Sequence, residues 1–299
     1  MDKAKLGTKR VFVSVPRDHH LLEAQKKFKH AILKDLRSAG IEPQEFQVSG
    51  LPLRSPYTFN AVREIMPRCH GVLILAFARW HDPSEKGLAT PTVWNHFEGA
   101  YALALQKEIL VITEEHVAED GITWAGGGQI VLRAPKEANA DWLQNDYVRP
   151  QIDAWLDAVK KIDEVFLAYS SKGRSTANDI HKLLSQHGVA VRDWEVNFKP
   201  GATILDELLG ATRTCLGAIM LLTKDDEFFG EEGFAPRDNV IFEMGMFMEA
   251  KGRERVLVVR ETGAKMPADI GGGIYLSLRD RNDITSIGLG LLDFIEKRI

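Results

Sequence analysis

Four blocks of this 299-residue sequence occur twice in the same order, and that repetition constrains the fold more than any single motif. The run Val11-Phe12-Val13-Ser14-Val15 is answered by Val165-Phe166-Leu167-Ala168-Tyr169, and Leu36-Arg37-Ser38-Ala39-Gly40 by the stretch ending Leu184-Ser185-Gln186-His187-Gly188. The apolar run from Cys69 to Phe77 is answered by Cys215 to Leu222, and Phe97-Glu98-Gly99 by Phe242-Glu243-Met244-Gly245. The cysteines stand 146 residues apart (69 to 215) and the glutamates 145 (98 to 243), so these blocks keep register within one residue. The first strands are 154 apart (11 to 165), the slack falling in a proline-punctuated loop from Gly50 to Pro56. Chance accounts poorly for four such matches in sequence order, so the chain reads as two homologous domains in tandem.

Within each half, strand and helix patterns alternate. Val11 to Pro16 is a β-branched run closed by proline, and Leu21 to Ser38 is an amphipathic helix stopped at Gly40. Ile41 to Val48 reads as a short second strand and Phe59 to Met66 as a helix. The Cys69 and Cys215 strands are apolar on both faces, as in the middle of a parallel sheet covered by helices. A small-residue helix from Trp94 to Leu105 then leads to the strand Ile109 to Thr113. This alternation predicts doubly wound α/β units with parallel sheets. The expected boundaries are a first domain at 1–139, a helical connection at 140–162 and a second domain at 163–299. Trp142, Leu143, Val148, Ile152, Trp155, Leu156 and Val159 give the connection an apolar stripe that should pack on one or both domains; a loose tether would be richer in Gly, Ser or Pro.

Composition narrows the classes. A 44% apolar, 27% charged chain with no run near the ~18 apolar residues of a membrane span reads as soluble. Its first ten residues are charged and lack the apolar core of a signal peptide, so a cytoplasmic protein is expected. A formal net charge of −4 gives no footprint for nucleic acid. Cys69 and Cys215 are too few and too far apart for a disulfide framework or metal site, and read as buried small residues.

The stretch Pro236-Arg237-Asp238-Asn239-Val240-Ile241-Phe242-Glu243-Met244-Gly245-Met246-Phe247-Met248 reads as a helix with an Asp/Asn start and an apolar stripe of Ile241, Met244, Gly245 and Met248. Glu243 falls one step off that stripe in the first turns. There it is either a carboxylate facing the crevice where open α/β sheets bind ligands or a surface glutamate complementing the helix dipole.

These residues carry a resemblance. The Val165–Tyr169 strand, Phe198-Lys199-Pro200-Gly201-Ala202-Thr203-Ile204, Leu221-Leu222-Thr223-Lys224-Asp225-Asp226, the Arg237–Gly245 block, Gly252-Arg253-Glu254-Arg255-Val256 and Met266-Pro267-Ala268-Asp269-Ile270 are similar to the bacterial TIR-like family of predicted nucleotide-binding proteins, effectors of antiphage systems downstream of cyclic-nucleotide signals. The resemblance covers 163 to about 279. It implies a flavodoxin-like fold, hence two tandem flavodoxin-like domains, and cleavage of NAD at the nicotinamide–ribose bond with Glu243 catalytic. NAD is then substrate, with no cofactor or metal, and activity depends on self-association, provoked by an activating nucleotide or protein.

Supporting positions are open to two readings each. Tyr169, Ser170, Ser171 and Lys172 follow the first strand, where hydroxyls and a cation can hold a pyrophosphate, or form a solvated loop. Arg237 is a phosphate clamp or an exposed arginine. Asp193 and Trp194 end the second strand, the tryptophan either stacking on a base or filling core. The resemblance places Phe198 in the loop that covers the site, and Asn239 is expected to cap the helix or to touch the substrate. The first half keeps Asn95 and Glu98 but has no equivalent of Arg237, and its Phe97–Ala104 stretch also resembles the helix of nucleoside deoxyribosyltransferases. Glu98 is thus a second catalytic carboxylate acting as a nucleoside N-glycosidase or transferase, a ligand of a nucleotide-sensing pocket, or a relic, with sensing or degeneracy preferred. A non-catalytic signalling module is the remaining alternative for the whole chain.

Overall fold

Two parallel sheets built from the both-faces-apolar runs organise the computed structural model, which describes residues 6–45, 59–81, 87–194, 201, 203–229, 233–268 and 275–299. The predicted Gly50–Pro56 loop and Phe198 lie outside the described residues. Contacts divide the chain into a unit of Lys9–Lys161 and a unit containing Ile162–Ile299.

The first unit runs β1 (Lys9–Ser14), α1 (Glu23–Ser38), β2 (Ile41–Glu45), α2 (Phe59–Ile65), β3 (Gly71–Ala76), β4 (Trp80–His81), β5 (Ala89–Thr90), α3 (Val93–Ala104), β6 (Glu108–Glu114), β7 (Ile130–Ala134) and α4 (Arg149–Lys160). Its main sheet has the order β2-β1-β3-β6-β7, every pairing parallel, with β4 and β5 a small antiparallel hairpin between β3 and α3. Phe28, Ile32 and Leu36 of α1 share one core with Ile152, Trp155 and Leu156 of α4. Val62 of α2 and Ala102 of α3 share the core on the other face. The apolar stripe of the connecting segment is therefore buried in the first unit, where Trp155 also donates its indole N–H to Glu108 O at 3.1 Å. Each fully buried Ile or Leu here contributes about 2 kcal/mol of transfer free energy.

The second unit repeats this strand for strand: β8 (Asp163–Ala168), α5 (Arg174–Gln186), β9 (Val191–Asp193), α6 (Ile204–Thr214), β10 (Cys215–Leu222), β11 (Asp226–Glu227), β12 (Phe234–Ala235), α7 (Asp238–Lys251), β13 (Val256–Glu261), β14 (Tyr275–Leu278) and α8 (Thr285–Arg298). Its sheet order β9-β8-β10-β13-β14, all parallel, is the same flavodoxin-like order, and the hairpin β11–β12 again precedes the fourth strand's helix. Helices α5 and α8 cover one face, α6 and α7 the other, with Phe247 stacked on Phe166 at 4.9 Å and 9°. The close approach that β10 makes needs glycine at 217, where a Cβ would lie 2.4 Å from Arg255 O and from Ile299 Cδ1.

One device occurs in both halves and has no sequence pattern. The last residue of each fourth strand is a buried glutamate that accepts the backbone N–H two residues beyond the third strand: Glu114 from Ala78 at 2.7 Å, Glu261 from Lys224 at 2.8 Å. Glu114 also accepts from Gln25 Nε2 at 3.1 Å, and Glu261 from Arg281 Nη2 at 2.5 Å. Burial alone would raise the Glu261 carboxyl, but the bonds from Arg281 and the Lys224 N–H, with both side-chain charges, hold it below its ordinary value. Each latch fixes the loop that leaves the sheet's carboxyl edge toward the helix bearing Glu98 or Glu243.

Both cysteines are buried and free, in keeping with small core residues. Among the described residues no helix is long and apolar enough to cross a membrane.

Candidate functional site

Glu243 is the sixth residue of α7, counted from Asp238, and Glu98 is the sixth residue of α3, counted from Val93. Each helix follows the third strand of its sheet, so the two carboxylates occupy equivalent places in equivalent units. The buried stripe of α7 is Val240, Glu243, Met244 and Phe247, set by the stacking of Phe247 on Phe166. This corrects the sequence expectation: Gly245 faces out, Ile241 and Met248 are half-buried, and Glu243 lies within the stripe. It is 5% exposed, its Oε2 has no hydrogen-bond partner among the described residues, and burial pushes its carboxyl up to about 7. A surface glutamate serving the helix dipole would have none of these properties.

A second carboxylate holds the approach to α7. Asp225, buried just beyond β10, accepts from Ser170 Oγ at 2.7 Å, from Thr223 Oγ1 at 2.7 Å and from the Arg237 N–H at 2.9 Å, while Lys172 donates its ammonium to the Asp225 carbonyl. It ties the end of the first strand to the start of the site helix. In the sequence it stands only within the Leu221–Asp226 block that carries the resemblance, with no role of its own, because a lone aspartate after a strand has no distinguishing spacing.

The remaining positions separate into groups. Ser170 and Lys172 are engaged at Asp225 as described, and Ser171 is exposed beside them. Tyr169 is buried and donates its hydroxyl to Asp193 at 2.8 Å, so this pair braces β8 against β9 from inside the unit. Trp194 packs with Tyr169 at 5.9 Å, its indole N–H buried without a partner among the described residues. Arg237 is half-buried, its guanidinium 3.4 Å from Asp226. Asn239 does not cap α7. The helix begins at Asp238, whose Oδ1 accepts the Asn239 N–H at 2.8 Å, and the Asn239 side chain is exposed. A cavity of about 660 Å³ in this unit borders Met248, Arg253 and Phe294, beyond the other end of α7, and Glu243 is not among its lining residues.

In the first unit Asn95 is buried at the start of α3, donating to Ser14 Oγ at 2.9 Å and accepting from Thr92 Oγ1 at 2.8 Å. It does with one side chain what Asp225 does in the second unit. Glu98, 4% exposed, lines a cavity of about 490 Å³ together with Asn95.

Residues 164–280 match the family whose description reads CAP12/Pycsar effector protein, TIR domain. The C-terminal unit is a TIR domain of this family. The chain is 34% identical over 110 residues to CD-NTase-associated protein 12 of Sphingobacterium faecium, covering 36% of this chain and 34% of that protein. It is 27% identical over 166 residues to the Pycsar effector protein BcPycTIR of Burkholderia cepacia, 54% of this chain and 52% of that one. A CD-NTase-associated protein 12 of Flavobacterium daejeonense is 34% identical over 110 residues, 36% and 35% of the respective chains. The chain thus spans between a third and about half of the length of the curated relatives it matches. The matched TIR segment contains Glu243, Asp225 and the Glu261 latch, whereas Glu98 and its cavity lie outside it.

Proposed function

We propose that the TIR unit cleaves NAD at the nicotinamide–ribose bond through Glu243, as an effector of antiphage defence whose activity depends on self-association. The observation that carries this reading is a carboxylate buried in the site helix with one oxygen unpaired and its proton affinity raised by desolvation. Such a group is costly unless it acts. NAD needs little more than a placed anion, because nicotinamide is cationic while attached to the sugar. As the C1′–N bond breaks, its electron pair goes to the pyridinium nitrogen and neutral nicotinamide departs. Positive charge passes to the ribose, where the ionised carboxylate stabilises it in a low-dielectric site. Water adds at C1′ and gives up a proton, leaving ADP-ribose. Asp225 and Glu261 position the helix and the loop before it and take no part in bond breaking.

Support for association comes from side chains left uncovered on the same face: Ile204, Leu205 and Leu209 of α6 and Phe242 of α7 are all exposed. Phe242 adjoins Glu243 in sequence, so a neighbour seated there would border the site.

The test incubates the full chain with NAD across a range of protein concentrations and follows nicotinamide by chromatography and assembly by light scattering. Glu243→Gln should lower release by ~100-fold or more, the scale of a lost electrostatic stabiliser. NAD consumption by that variant at the parent rate, or assembled parent chain that releases no nicotinamide, overturns the reading.

A further inference from the structure

We infer that the cavity of the first unit is a binding site for a nucleoside monophosphate, separate from the NAD-cleaving site and independent of Glu243. The about 490 Å³ enclosed between the carboxyl end of β1 and the start of α3 lies in the range of small-molecule sites and accommodates one nucleotide. Its lining supplies the three chemistries a nucleotide presents. Trp80 and Trp94, 50% and 51% exposed, offer flat aromatic faces for a base. Glu98, almost wholly buried, stands where Glu243 stands in the TIR unit and is suited to accept from sugar hydroxyls. Asn95 donates to Ser14 and accepts from Thr92, so it positions α3.

The cations of the cavity are not equivalent. Lys29 is held by Asp18 at 2.9 Å and Glu45 at 2.5 Å. The Arg79 guanidinium lies over Trp80 at 5.6 Å, with Nη2 2.7 Å from His20 Nδ1. Arg17 is exposed and makes no ion pair with a carboxylate among the described residues, which leaves its guanidinium for a phosphate.

The same inventory favours holding over cleaving. Nicotinamide departs from NAD unaided by a proton, but an ordinary nucleobase is a poor leaving group and needs an acid beside it. The cavity's other carboxylates, Asp18 and Glu45, both face the Lys29 ammonium and serve as acceptors. Desolvation and then the charge of Arg79 lower the His20 imidazole, which disfavours the charged form that would act as an acid.

Isothermal titration of the full chain with nucleoside monophosphates, the parent nucleosides and inorganic phosphate, with chromatography of the mixtures afterwards, tests this. A monophosphate should bind once per chain and be recovered intact. Glu98→Gln, which keeps the shape of the side chain, should weaken it at least ~10-fold, about 1.4 kcal/mol. Arg17→Ala should weaken the monophosphate ~10-fold and leave the nucleoside unchanged, and Glu243→Gln should change neither. The proposal is overturned if no monophosphate binds at millimolar concentration, if binding survives Glu98→Gln or vanishes with Glu243→Gln, if Arg17→Ala affects nucleoside and nucleotide alike, or if free base is released.

Discussion

Replacing Glu243 by glutamine should make an inactive chain whose TIR unit is more stable than the parent's, and only above a definite pH. Burial lifts this carboxyl from its ordinary 4.5 to about 7. At ~1.4 kcal/mol for each tenfold change in proton affinity, keeping it ionised inside the fold costs about 3–4 kcal/mol. Below pH 4.5 the group is protonated whether folded or unfolded and there is no cost. Between 4.5 and about 7 the unfolded chain releases the proton that the folded chain keeps, so the parent loses stability as pH rises; above about 7 the whole cost is present. Glutamine has the same shape and never ionises. The advantage of Glu243→Gln should therefore be near zero at pH 4.5 and grow to about 3–4 kcal/mol at pH 8. Five of the six tryptophans lie in the first unit, so fluorescence would report mainly on that half. Amide hydrogen exchange of β8 and β10 reads the opening of the TIR unit itself, parent and variant compared at each pH. An advantage of the same size at every pH, or a loss of stability at pH 8, would refute the reasoning that a desolvated, unpaired carboxylate sits in this helix.

Other consequences follow from the carboxylates and thiols. Asp225→Asn should cost about 1–3 kcal/mol in the TIR unit, because one oxygen that accepts from Ser170, Thr223 or the Arg237 N–H becomes a donor; hydrogen exchange of α7 is the readout. Glu261→Gln should destabilise by a similar amount at pH 7. Because the Glu261 carboxyl is held low, its contribution is present above its ordinary 4.5 and fades as pH falls below that, so parent and variant should converge in acid urea titrations. Burial pushes the Cys69 thiol up to about 11 and raises Cys215 as well, so neither should react with a disulfide reagent at pH 8 until urea unfolds the chain, whereupon two thiols should titrate.

The duplicated sheets were legible because a parallel strand covered on both faces must be apolar throughout, and Val72–Phe77 and Leu216–Leu222 can be little else. The burial of Glu243 was not legible. Helix α7 carries Ile241, Phe242, Met244, Met246, Phe247 and Met248 around most of its circumference, so periodicity cannot say which stripe faces the sheet. That choice is made by Phe247 meeting Phe166, a contact across 81 residues. Asp225, Glu114 and Glu261 were missed for a related reason: each accepts a backbone N–H that only the folded loop presents, and a single carboxylate at a strand end has no period. Tyr169 reads as the first residue of a polar loop, yet its hydroxyl turns inward to Asp193.

Leu6 and Gly7, just before β1, belong to the second unit, although the whole first unit separates them from it in sequence. Leu6 packs on the core of the TIR unit, and Gly7 approaches Gly188 so closely that a Cβ would lie 1.7 Å from its carbonyl oxygen. Lys9–Lys161 is thus an insertion between two pieces of one unit, and the core of that unit is complete only when Leu6 and Gly7 meet the residues around Gly188. Substituting Gly7 should therefore loosen the TIR unit and leave the core of the first unit as it is.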